Sequence, residues 1–93
     1  MYLIIPHTHK VNECKEWIKP ADYAFMEDSE KVLADIPNTW KQYPQTIPGM
    51  AAIIDMEYKE FKEATTAEAM SHELVHLASA CLHLWRTLNN VTV

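Results

Sequence analysis

The stretch MEYKEFKEATTAEAMSHELVHL, residues 56–77, decides the fold. Thr65 followed three places later by Glu68 is a capping-box signature, so one helix ends near Ala64 and another begins near Thr66. Two threonines form too short a link for anything but antiparallel helical neighbours. Working outward, Met50, Ile53, Ile54, Phe61 and Ala64 recur at helical spacing before the link. After it, Met70, Leu74, Leu77, Ala78, Cys81, Leu84 and Leu88 form an apolar stripe. The spacing predicts helices over about 48–64 and 66–89.

The rest of the chain agrees with an all-α reading. There is one glycine, Gly49, and no Asn-Gly pair of the kind that closes hairpins. Pro20 suits the first turn of a helix running to about Ile36, before Pro37. Asn12 is a candidate cap for a shorter helix, ECKEWI, and YLII at 2–5 reads as a short strand or extended arm. Residues 37–49, PNTWKQYPQTIPG, hold three prolines and form the longest predicted loop. Trp40 and Tyr43 in it either present an aromatic face or cover the edge of a small core.

Composition narrows the function. The 93 residues make one domain, 48% apolar and 23% charged, as globular chains are. A net charge of −5 without clustered Lys or Arg argues against nucleic acid as a partner. It leaves nucleotides open, since divalent cations bridge carboxylates to phosphates. No apolar run reaches membrane-spanning length. Cys14 and Cys81, far apart and without metal-type spacing, fit a reduced cytoplasmic protein.

His72-Glu-Leu-Val-His76 matches the H-E-x-x-H pattern of zinc hydrolases, in which two histidines one turn apart grip a metal. A third ligand is then needed, and no Asp or Glu follows Glu73. His83 stands seven residues beyond His76, roughly 10 Å up the axis of an unbroken helix, too far to close on the same ion. His7 and His9 read as surface histidines with some capacity to bind metal. A different constellation is better formed. Glu57 and Glu60 are three apart on one helix, and Glu73 and His76 three apart on the next. Folding the chain at Thr65–Thr66 brings the pairs level, and helical bundles build metal sites from facing helices in this way. With Lys59 and Lys62 interleaved, the first pair also fits an ordinary solvated face.

The pattern E-x-x-E, twelve residues, E-x-x-H resembles the signature of the MazG-like all-α nucleoside triphosphate pyrophosphohydrolases, E-x-x-E followed by E-x-x-D. The resemblance covers residues 48–88 and is nearest to the short single-domain versions of phage genomes. It implies a helical bundle over residues 1–93, with a long C-terminal antiparallel pair and a short N-terminal arm. It implies Mg²⁺ held by Glu57, Glu60 and Glu73, which also serve catalysis, and release of pyrophosphate from ribo- or deoxyribonucleoside triphosphates. Trp40, able to stack on a base, and Lys41 beside it are the expected nucleotide-binding residues. A homodimer or homotetramer would cover the apolar surface around Leu82, Leu84, Trp85 and Leu88. The departure is His76, where the family has Asp. Imidazole suits Mn²⁺ or another transition metal better than Mg²⁺. Three readings follow: a softer metal, weak Mg²⁺ catalysis through three glutamates, or a degenerate site. The last would leave a non-catalytic phage protein that binds a nucleotide or inhibits a host protein.

Overall fold

The computed structural model describes residues 19–89. The predicted arm at 2–5, the helix after Asn12, His7, His9 and Cys14 lie outside them. The described residues are all helical: α1 (Pro20–Ala34), a 3-10 turn (Asn38–Gln42), α2 (Ile47–Glu63) and α3 (Ala67–Leu88), with no strand among them. No helix is long and apolar enough to cross a membrane among these residues.

Each boundary has a local cause. Pro20 opens α1, where its missing N–H is not needed, and the Lys19 N–H donates to Asp22 Oδ2 at 2.7 Å. The helix stops at Ala34, two residues short of the predicted end, because Ile36 precedes Pro37 and is steered out of helical backbone. The predicted loop over 37–49 is shorter than expected. Its first part winds into the 3-10 turn, and α2 begins at Ile47 with Pro48 and Gly49 inside its first turn. Thr46 caps it by accepting from the Gly49 N–H at 3.1 Å. The cap of α3 is Thr66, accepting from the Ala69 N–H at 3.0 Å, so the expected Thr65–Glu68 box is displaced by one residue.

Gly49 is fixed by space. A Cβ there would stand 2.1 Å from the Pro44 carbonyl oxygen, which is backbone and has no rotamer to yield. Gly49→Ala is expected to destabilise the fold by about 1–3 kcal/mol, as overpacking does, visible as a lower urea midpoint at unchanged slope.

α3 packs against both other helices. Trp40, Ile53 and Ala80 form the core, with Val32, Leu33, Ile36, Tyr43, Ile54 and Met56 packed around them. The inward face of α3 differs from the predicted stripe. Met70, Leu74 and Leu88 are 40%, 42% and 55% exposed, and Cys81 is exposed, while Ser79 and Ala80 are buried. Small side chains let the backbones of α1 and α3 approach closely. The Ser79 hydroxyl lies 3.2 Å from the Ser29 carbonyl and 2.6 Å from that of Val75, and Ser29 donates to the Phe25 carbonyl. Long aliphatic residues at those positions would hold the helices apart. Farther along, Arg86 donates to both carboxylate oxygens of Glu30, tying the same two helices.

Candidate metal centre

Glu57 follows Ile53 by four residues on α2 and so shares its inward face. It is 1% exposed, which is rare for a carboxylate. The Trp40 indole N–H, delivered by the 3-10 turn, donates to Glu57 Oε2 at 2.6 Å. His76 Nδ1 lies 3.9 Å from the same oxygen. The other oxygen, Oε1, is buried with no hydrogen-bond partner. A carboxyl group held away from water requires hydrogen-bonding partners, and one indole donor serves only one of the two oxygens here.

Glu73 and His76, three apart on α3, face Glu57 from the neighbouring helix. Ligand atoms of Glu57, Glu73 and His76 all lie within 4.8 Å of one another. Glu60, the fourth expected ligand, is outside that group and exposed. It still senses the cluster. Its carboxyl titrates above the ordinary glutamate range, first through desolvation and then through repulsion by Glu57 and Glu73, which His76 partly offsets; Glu63 adds to the rise. Negative charge is therefore in excess, and a cation placed among these groups would relieve it. The orphaned Oε1 and a mixed carboxylate–imidazole donor set fit a divalent ion.

The nucleotide-binding expectations fare differently. Trp40 is 1% exposed and stacks on the His83 ring at 6.2 Å, so its faces are closed to a base. Its contribution is to orient Glu57, a role that nothing in a sequence separation of seventeen residues announced. Lys41, next to it, is exposed. His83 belongs to the Trp40 stack, apart from the carboxylates, while the His72 and His76 rings lie 4.5 Å apart as four-residue spacing requires. No protein-family model, curated protein or solved structure matches the chain.

Proposed function

We propose that Glu57, Glu73 and His76 hold a divalent cation, and that the chain is a metal-dependent nucleoside triphosphate pyrophosphohydrolase of the MazG-like kind. The observation that carries this reading is Glu57, a buried carboxyl group with one oxygen lacking a donor, whose ligand atom lies within 4.8 Å of those of Glu73 and His76. Residues meet across α2 and α3 in reverse order, Ile53 near Ala80 and Glu57 near Glu73 and His76, which supports the antiparallel pair of the family signature.

Each residue then has a distinct task. Trp40 holds the Glu57 carboxyl in place through its indole N–H, so that Glu57 would meet an ion in a fixed orientation. Glu73 and His76 complete a half-shell of donors from α3. The bound ion would neutralise the triphosphate and withdraw electron density from the phosphorus. Glu60, exposed at the rim, accepts the proton of the attacking water. Lys41, exposed on the Trp40 turn, would supply a cation for a phosphate. The imidazole at 76 favours Mn²⁺ over Mg²⁺, since a nitrogen donor suits the softer ion. Met70, Leu74, Trp85 and Leu88, all at least 40% exposed, would be covered in a homodimer or homotetramer.

His76 also supports a second reading. With the last carboxylate of the signature replaced, the same centre would bind a nucleotide without cleaving it, or remain as a scaffold for a host protein. Pyrophosphate release from a panel of ribo- and deoxyribonucleoside triphosphates, in Mn²⁺ and separately in Mg²⁺, divides the two. The hydrolase reading expects release that is faster in Mn²⁺ and absent in Glu57→Gln. Silence with every nucleotide and both ions would leave only the binding reading.

A further inference from the structure

The H-E-x-x-H segment is only half used by the carboxylate centre. His76 takes part, but His72 does not. His72 and His76 stand side by side on α3, ring centroids 4.5 Å apart and planes tilted by 46°. Both line a cleft of about 370 Å³ between α1 and α3, together with Asp28, Val32, Ser71 and Val75. Asp28 brings a carboxylate from α1, and its pairing with Lys31, 3.8 Å away on the surface, holds it weakly. His72 is exposed, so an ion reaches the pair without rearrangement of the core.

We propose that His72 and His76 form a second cation site in this cleft, which Asp28 also lines, and that it takes a divalent ion with affinity for imidazole such as Ni²⁺, Cu²⁺ or Zn²⁺. Two imidazoles one helical turn apart converge on one ion at nitrogen–metal distances of about 2 Å, and water fills the remaining positions. The site differs in kind from the Glu57 and Glu73 centre, which is dominated by oxygen. The two share His76. A neutral imidazole has a single lone pair to give, so His76 serves one ion at a time. An ion in the cleft therefore strips the carboxylate pair of its nitrogen donor. The cleft site stands whether or not the carboxylate centre is catalytic.

Calorimetric titration of the full chain with NiCl₂, and no nucleotide, tests it. His72→Ala, with circular dichroism to confirm the helices, is expected to weaken Ni²⁺ binding about tenfold or more, one decade in Kd. Glu73→Gln is expected to leave it within about twofold, which is a shift of less than half a decade. Unchanged binding in His72→Ala would overturn the proposal. So would a loss in Glu73→Gln as large as in His72→Ala, because Ni²⁺ would then occupy the three-ligand centre instead.

Discussion

Glu57→Gln is expected to abolish the response of this protein to Mn²⁺ while leaving the ion-free fold at least as stable as the wild type. The two halves of this result have one cause. Glu57 is a buried carboxyl group with one oxygen bonded to Trp40 and one bonded to nothing. In the absence of an ion that arrangement costs free energy, because a desolvated carboxylate is only partly compensated. A glutamine has the same shape, keeps an acceptor for the indole N–H and carries no charge. In chelator, its melting temperature should equal or exceed that of the wild type. With Mn²⁺ at about one hundred times its Kd, the wild type gains about 2.7 kcal/mol by mass action. For a domain of this size that is a rise of roughly 10 °C or more. The glutamine variant should show none of it, and on the proposed hydrolase reading pyrophosphate release should fall by about 100-fold or more, at or beyond the upper end of the loss seen when even a ligand's supporting contacts are disturbed. A Mn²⁺-induced rise of equal size in both proteins would remove Glu57 from the centre.

The largest loss of stability is expected at Trp40. Truncation to alanine empties the middle of the Trp40–Ile53–Ala80 core and costs about 3–5 kcal/mol, a large share of the 5–15 kcal/mol that holds a typical domain together. Trp40→Phe is more informative, because it keeps much of the apolar bulk and removes the donor. It leaves both Glu57 oxygens without a hydrogen bond, a penalty of about 1–3 kcal/mol for a stranded buried group. The penalty depends on the charge at 57. In a Glu57→Gln background the stranded group is a neutral amide, and Trp40→Phe should cost less there than in the wild type. A double-mutant cycle in urea should give a coupling of about 0.5–3 kcal/mol, the range for residues in direct contact. Strict additivity would mean that the Trp40–Glu57 bond contributes nothing beyond packing.

Much of the scaffold was legible in the sequence because its signals are local. Pro20, the Pro37 break and the threonines at the α2–α3 link set helix limits within a few residues of those observed. Counting outward from that link also brought Glu57 opposite Glu73 and His76, since helical rise is uniform. Two features were not legible. The face of α3 turned inward was misjudged because apolar periodicity weighs Leu74 and Leu88 over Ser79. The structure selects instead for small size where α1 and α3 nearly touch at Ser29 and Ser79. The role of Trp40 was hidden because it depends on a turn whose path is set by tertiary contact with His83 and Glu57, not by anything in PNTWKQYPQ itself. Glu60 shared a helix face with Glu57, yet one turn was enough to carry it from the interior to the rim.

The 3-10 turn at Asn38–Gln42 has a kinetic consequence. It lies in the short connection between α1 and α2, and its one buried side chain is the lid over Glu57. Any excursion that lifts the turn wets Glu57 and unlatches it in the same movement. Were an ion held at Glu57 as proposed, opening of this connection and exchange of the ion would be a single event seen from two sides. Its residence time would then be the lifetime of one closed turn, and amide exchange at Trp40 and Tyr43 would keep the same clock.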